Sequence, residues 1–268
     1  MDAMTLPAEL LDIAARIARE AGELAHRRRQ EGVTVAATKS AAADIVTAAD
    51  REVEAFIRAE LARERPDDGF FGEESGAEPG TSGITWVVDP IDGTVNYAYG
   101  IPAWAVSIAA VEGTADTAAW TALAGAVFNP VTGELFRASQ GGGAWLGDQR
   151  LSVSEVGPAG GLVATGFGYN PETHGPALAQ LSRVMPIARD VRRIGAASLD
   201  LASVAAGRVD AYYERGTQPW DHAAGSLLVQ EAGGTVGGAP GGRPGNGMVI
   251  AAGPAFYARL EPLLDCDR

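Results

Sequence analysis

The chain has 268 residues, of which 46% are hydrophobic and 21% charged, an ordinary globular composition that argues against disorder. Acidic residues outnumber Lys plus Arg by 34 to 21, and the net charge of −13 makes direct nucleic-acid binding or attachment to an anionic membrane unexpected. The single cysteine, Cys266, excludes an internal disulfide, and no apolar stretch fits a signal peptide or a spanning helix, so we expect a cytoplasmic protein.

Apolar residues at three- and four-residue intervals predict two amphipathic helices near the start of the chain, over 5–30 and 48–63. The intervening segment 33–44 is typical of a loop or hairpin and carries Lys39. Residues 84–88 predict a short strand, which Asp89 and Pro90 end. Further strands are predicted over 104–111, 123–128, 134–138, 162–165, 190–194, 211–213 and 249–252, and further helices over 175–184, 198–206 and 221–232. The Gly- and Pro-rich segment 233–247 is predicted to be a surface loop.

The segment 86–97, WVVDPIDGTVNY, delivers two carboxylates, Asp89 and Asp92, at the end of a strand. Two ionised carboxylates side by side repel each other unless a cation lies between them, and Mg²⁺ prefers such oxygen ligands. If a helix begins at Gly93 and Thr94, its free backbone N–H groups would bind an anion beside the metal. The alternative is a plain turn with two solvated aspartates.

Two further acidic motifs favour the metal site. In GEESG, Glu73 and Glu74 are adjacent in an extended segment, so their side chains should point to opposite faces and serve different purposes. In WDHAAG, Asp221 lies where a helix should begin, and an N-cap role is the alternative explanation. His222 is predicted to be a first-turn helix residue rather than a ligand or a general base.

With these motifs in this order, the chain resembles the inositol monophosphatase family of Mg²⁺-dependent phosphatases, in particular its actinobacterial inositol-1-monophosphatases. A fourth motif, from Lys39 and Ser40 through Asp44 to Asp50, also fits. The resemblance implies an α/β (α+β) fold, the layered αβαβα sandwich of the inositol monophosphatase and fructose-1,6-bisphosphatase type. It implies one phosphatase domain over 1–268, with an α+β half to about 150 and an α/β half from about 151.

The resemblance also implies a role for each matching residue, around two or three Mg²⁺ per active site. The metal ligands would be Glu73, Asp89, the Ile91 carbonyl, Asp92 and Asp221, with Asp89 shared between two ions. The residues that orient and deprotonate the attacking water would be Asp50, Glu73, Glu74 and Thr94. The substrate-binding residues would be Asp92, Gly93, Thr94, Ala196, Ala197, Glu214 and Asp221.

The implied function is hydrolysis of inositol 1-phosphate to myo-inositol and phosphate. Histidinol phosphate, fructose 1,6-bisphosphate and a 3′-phosphoadenosine compound remain alternative substrates, and a regulatory role bound to transcription machinery is an alternative function. Glu214 favours a polyol, because a carboxylate accepts hydrogen bonds from adjacent hydroxyls. Arg215 either alters substrate preference or faces solvent. The resemblance further implies a homodimer and sensitivity to Li⁺.

Overall fold

The computed structural model describes residues 5–32, 35–38, 45–116, 119–239 and 241–264. Within these ranges the helices are α1 (Leu6–Glu31), α2 (Ala48–Glu64), α3 (Thr94–Tyr99), α4 (His174–Val184), α5 (Ala197–Ala205), α6 (Pro219–Glu231) and α7 (Pro254–Leu264). The strands are β1 (Val35–Thr38), β2 (Ile45–Thr47), β3 (Gly69–Gly72), β4 (Gly76–Glu78), β5 (Ile84–Asp92), β6 (Ala105–Glu112), β7 (Thr121–Asn129), β8 (Glu134–Ser139), β9 (Gly143–Leu146), β10 (Gln149–Arg150), β11 (Gly161–Thr165), β12 (Ala188–Arg192), β13 (Ala211–Glu214), β14 (Thr235–Gly237) and β15 (Val249–Ala252). In the described part of the chain, no helix is long and apolar enough to cross a membrane.

The larger sheet has eight strands in the order β10-β9-β8-β7-β6-β5-β3-β4. Its pairs are antiparallel except β3 with β5, which run parallel. Strand β5 is buried along its whole length, and successive side chains alternate between the two faces. Trp86 and Val88 enter the core under α1 and α2, whereas Val87 enters the core under α5 and α6. Both faces of this sheet are therefore covered by helices.

The smaller sheet has five strands in the order β12-β11-β13-β15-β14. One face shares a core with α5 and α6, because Ala164, Tyr212 and Ala251 join the cluster that those helices form with the larger sheet. The other face packs against α4 and α7 through Val184 and Phe256, among others. The layers are thus helix, sheet, helix, sheet, helix, which confirms the predicted αβαβα sandwich. We propose that the two halves form one domain, since they share this central core.

Several predicted element boundaries are wrong. Strand β5 does not end at Asp89 and Pro90 but continues to Asp92, with a register shift where Asp89 pairs with Ser107 and Asp92 with Ala105. This bulge accommodates Pro90, which has no N–H to give to a ladder. Helix α6 begins at Pro219, ahead of Asp221. The segment 233–247 contains β14, and α7 was not predicted although its buried Phe256, Leu260 and Leu264 have helical spacing.

Candidate active site

A cleft of about 730 Å³ opens where β5 and α3 meet the N-termini of α5 and α6. Most residues predicted for the site line it together: Glu73, Asp89, Ile91, Asp92, Gly93, Thr94, Ala196, Ala197, Glu214 and Asp221. Asp50 and Glu74 do not line the cleft. Asp50 is buried behind Thr94, and Glu74 lies beside Arg51, with a carboxylate oxygen 3.8 Å from Nε of that arginine. The residues Lys39, Ser40 and Asp44 of the predicted fourth motif lie outside the described residues, as does Cys266.

Asp89 and Asp92 reach the cleft because of the bulge in β5. Asp89 pairs with Ser107 and Asp92 pairs with Ala105, so β5 has one more residue than β6 between these two pairs. The extra residue interrupts the pleat between the two aspartates. The backbone N–H of Ile91 donates to Oδ1 of Asp89 at 3.0 Å, which fixes that carboxylate inside the bulge. Asp89 is only 2% exposed and Asp92 7% exposed. The strand thus delivers two nearly buried carboxylates to one place.

Asp92 also joins the two halves of the molecule. Its carboxylate accepts hydrogen bonds from the backbone N–H groups of Ala197 at 3.2 Å and Ser198 at 2.7 Å, and from the Ser198 hydroxyl. These are free donors of the first turn of α5, which an acceptor normally satisfies. Ser198 was not predicted as a site residue, because its partner Asp92 is 106 residues away in the chain. Ala197, which was predicted to line the substrate pocket, thus has its backbone N–H bound to Asp92.

Asp221 is the third residue of α6 rather than its N-cap. Its carboxylate accepts from the backbone N–H of Gln218, the residue that precedes the helix, at 2.7 Å. Asp221 therefore stabilises the start of α6 from within the first turn, and its side chain also lines the cleft. The ring of Trp220 packs edge-on against Phe71, with centroids 5.2 Å apart, which holds the start of α6 against β3.

The turn after β3 gives Glu73 and Glu74 different surroundings. Glu73 lines the cleft beside Asp89, whereas the backbone N–H of Glu74 donates to Oε2 of Glu54 at 2.8 Å. Glu54 lies on α2, is 3% exposed and was not predicted as a site residue. Its only signal in the sequence is its position four residues after Asp50, on the same face of the predicted helix. Glu54 fixes the turn that carries Glu73.

Burial and mutual repulsion dominate the electrostatics of the acidic group. Desolvation, followed by the charge of Glu73 and then that of Asp92, holds the pKa of Asp89 well above its usual value. Desolvation also raises the pKa of Asp221 well above its usual value. For Asp92, desolvation outweighs the hydrogen bonds from Ser198 and raises the pKa to about 6. Such oxygen donors, unfavourable when ionised together, suit a hard divalent cation.

The carboxylates suit a cation because they are oxygen donors and line the same cleft. Their side chains are not arranged in a complete coordination geometry. Among the residues that the structure describes, no three His, Cys, Asp or Glu side chains are grouped so as to hold a metal ion as they stand. Besides burial, the charge of Glu73 raises the pKa of Asp89, and a cation between the two carboxylates would relieve that repulsion.

Helix α3 begins beside the acidic group. Gly93 precedes it with φ of 88°, and a Cβ there would lie 3.1 Å from the Ala103 carbonyl oxygen, so glycine is needed for both conformation and space. The Thr94 hydroxyl lies 3.2 Å from Oδ1 of Asp50 and 3.1 Å from the Ile91 carbonyl oxygen. Asn96, which was not predicted as a site residue, donates to the carbonyl of Ile194 at 2.9 Å and ties α3 to the second half.

The surroundings of His222 and Arg215 bear on the roles considered for them in the sequence analysis. His222 is 1% exposed, and neither ring nitrogen has a hydrogen-bond partner within the described residues. Burial lowers the pKa of His222 to about 4, so the ring is neutral near pH 7. Arg215 lines the cleft, and its guanidinium donates to the Gly247 carbonyl at 2.9 Å.

The layered fold and the acidic cleft between its sheets define an α/β protein with an enzyme-like pocket rich in carboxylates. The family model described as the inositol monophosphatase family matches residues 6–264, and the chain belongs to that family. The resemblance and the fold predicted from the sequence are both confirmed.

Three relatives illustrate the similarity. The chain is 42% identical over 276 residues to the inositol-1-monophosphatase SuhB of Mycobacterium tuberculosis, covering 95% of this chain and 92% of that protein. It is 38% identical over 251 residues to the Nus factor SuhB of Escherichia coli, covering 91% of each. The crystal structure of the extragenic suppressor protein suhB from Bartonella henselae matches with a TM-score of 0.88 at 38% identity, covering 97% of this chain and 100% of that one.

Proposed function

We propose that this protein is a Mg²⁺-dependent hydrolase of phosphate monoesters and that inositol 1-phosphate is its principal substrate. The observation that carries the proposal is the composition of one cleft. Four carboxylates and the start of α3 line the cleft, and so do Glu214, Ala196 and Ala197. The printed name of the M. tuberculosis relative, inositol-1-monophosphatase, agrees with this substrate.

The residues that would hold the cations are those that the resemblance names. Glu73, Asp89 and the Ile91 carbonyl would bind one Mg²⁺, and Asp89, Asp92 and Asp221 a second, with a weaker third reached by Glu73. When bound, divalent cations supply positive charge to the phosphate and acidify water near neutral pH. They would also reverse the local negative field of a chain whose net charge is −13.

The protein's own groups would orient the water and the phosphate. Thr94 donates its hydroxyl proton toward Asp50 or the Ile91 carbonyl, so its oxygen lone pairs can accept a hydrogen bond from the attacking water. A proton lost by that water would pass to Thr94 Oγ1 as Thr94 passes its own to Asp50 Oδ1. The backbone N–H groups of Gly93 and Thr94 would bind the phosphate, and Glu74 would support the turn of Glu73.

In the same cleft, Glu214 would accept hydrogen bonds from hydroxyls of the leaving alcohol. Ala196 would provide an apolar wall, and Asp92 and Asp221 would approach the ester. A polyol with adjacent hydroxyls matches a carboxylate better than an imidazole or a purine does. Histidinol phosphate and a 3′-phosphoadenosine compound are the competitors with an imidazole or a purine, and fructose 1,6-bisphosphate is the competitor that also carries adjacent hydroxyls.

The test is a phosphate-release panel of these four esters with and without Mg²⁺. We expect the highest kcat/KM for inositol 1-phosphate, and no release when EDTA is in excess over Mg²⁺. Full release in excess EDTA would overturn the metal dependence. A higher kcat/KM for another ester would overturn the inositol preference while leaving the hydrolase class intact.

A regulatory role is a second candidate, because the E. coli relative carries the name Nus factor. Affinity capture of the transcription machinery by the folded protein, with and without EDTA, would test it. Capture that persists in EDTA would indicate a role separate from hydrolysis. The homodimer, the sensitivity to Li⁺ and the cytoplasmic location rest on the sequence analysis alone, and light scattering and a Li⁺ titration would test the first two.

A further inference from the structure

The carboxylate of Glu214 is held by the residue two positions before it. Glu214 ends β13, and the hydroxyl of Tyr212 donates to its Oε2 at 2.9 Å. Tyr212 is completely buried, and its ring belongs to the core shared by both sheets. Because the ring is locked by packing, its hydroxyl can hold the carboxylate in only one orientation.

The neighbouring strand β11 confines the Glu214 carboxylate on the side away from Tyr212. Strands β11 and β13 run parallel with Thr165 opposite Tyr213, which brings Gly166 alongside Glu214. A Cβ at Gly166 would overlap Cδ and both carboxylate oxygens of Glu214. Gly166 does not adopt a left-handed backbone conformation, so alanine would meet no backbone strain there. The space left by the missing side chain is therefore what this position provides.

We propose that Tyr212 and Gly166 are positioning residues that set the Glu214 carboxylate for recognition of adjacent hydroxyls on the leaving alcohol. The inference rests on the proposed function and extends it to two residues that do not themselves touch the reacting phosphate. With Oε2 bound by Tyr212, the remaining acceptor positions of Glu214 have a fixed direction, and no freedom has to be lost when the polyol binds.

The surroundings of Glu214 agree with this role. Burial raises the pKa of Glu214 to about 7, while the Tyr212 hydrogen bond and the charge of Arg193 act in the opposite direction. The hydroxyl of Tyr212 thus favours the ionised carboxylate, the form that accepts hydrogen bonds without donating one. Asp200 lies nearby on α5, and its charge adds to the effect of burial in raising the pKa of Tyr212.

The experiment compares Tyr212→Phe and Gly166→Ala with wild type on inositol 1-phosphate and on phenyl phosphate, whose leaving group has no further hydroxyl. Tyr257→Phe is the matched control, because its hydroxyl also donates to a carboxylate, that of Glu261 at 3.2 Å, but lies on α7 and not among the residues that line the cleft. We expect both test variants to raise KM for inositol 1-phosphate about tenfold with kcat within about twofold, and the control to change neither. KM for phenyl phosphate, or its Ki as a competitor if turnover is slow, should stay unchanged.

Circular dichroism and thermal melting establish that each variant is folded, and the two substitutions act on Glu214 from opposite sides, so one suffices if the other fails to fold. An unchanged KM for inositol 1-phosphate in the folded variants would overturn the inference. Equal losses on both esters would also overturn it, because they would indicate general damage to the site. If wild type releases phosphate from neither ester, the proposed function itself fails.

Discussion

Replacing Asp92 with asparagine is the sharpest single perturbation of the site, since it removes one charge and keeps the shape. Because Asp92 is a proposed metal ligand, this substitution should abolish Mg²⁺-dependent phosphate release and leave the fold intact. The structure adds a second consequence, because the Asp92 carboxylate accepts three hydrogen bonds from the start of α5. Activity and stability should therefore both respond to the substitution.

The stability change has two opposing parts. Asparagine has one acceptor oxygen, so if it faces Ser198 the N–H of Ala197 loses its acceptor, a cost of about 1–3 kcal/mol. Against this, the pKa of Asp92 is raised from 3.8 to about 6, so the wild-type folded state binds that proton more tightly than the unfolded chain. Wild-type stability then falls as pH rises from about 4 to about 6, by about 1.4 kcal/mol per pH unit, and asparagine removes this loss.

The variant should therefore gain about 1.4 kcal/mol relative to wild type between pH 5 and pH 8 in the absence of divalent cations. Urea unfolding at both pH values measures this difference. With Mg²⁺ present, phosphate release should fall at least about a hundredfold, the order of loss for one charged group aimed at the reacting phosphate. A rate within about tenfold of wild type, or equal stabilisation of both proteins by Mg²⁺, would refute the assignment of Asp92 as a ligand.

Three further predictions follow from the same contacts. Ser198→Ala removes a hydrogen bond that lowers the pKa of Asp92, so the acidic limb of the rate profile at fixed Mg²⁺ should move to higher pH while the rate at pH 8 is retained. Burial raises the pKa of Asp200 to about 8, so Asp200→Asn should become more stable relative to wild type as pH rises from 5 to 8 in urea unfolding. Gly93→Ala places a side chain at φ of 88° and should cost about 1–3 kcal/mol in urea unfolding, together with a loss of phosphate release.

The parts of the site that the sequence predicted are those encoded within a few residues. Asp89 and Asp92 follow a buried apolar run, and Asp221 lies in the first turn of a helix, so their local patterns identified them. The helices α1 and α2 were found for the same reason, because a 3.6-residue period is a local property. The end of β5 was mispredicted because a proline in a central strand usually ends it, and only the pairing with β6 reveals the bulge.

The supporting residues could not be found in this way. Ser198, Glu54 and Tyr212 act through side-chain contacts whose partners are fixed by tertiary packing, and none has a distinctive local motif. Ser198 contacts a residue 106 positions away, and Glu54 a backbone N–H 20 positions away. A single sequence contains the members of such pairs but not the pairing itself, which depends on how the sheets and helices come together.

The same carboxylates that would bind Mg²⁺ work against the cation-free fold. Asp89, Asp92 and Asp221 each have a pKa raised first of all by burial, so ionising them together in the folded state lowers stability as pH rises. A bound cation would offset this cost only for ionised carboxylates. Stabilisation of the wild type by Mg²⁺ in the unfolding assay should accordingly be larger at pH 8 than at pH 5, and removing Asp92 should reduce that dependence on pH. Cations bound by these carboxylates would offset their negative charge, so an acidic chain could bind an anionic ester in this cleft.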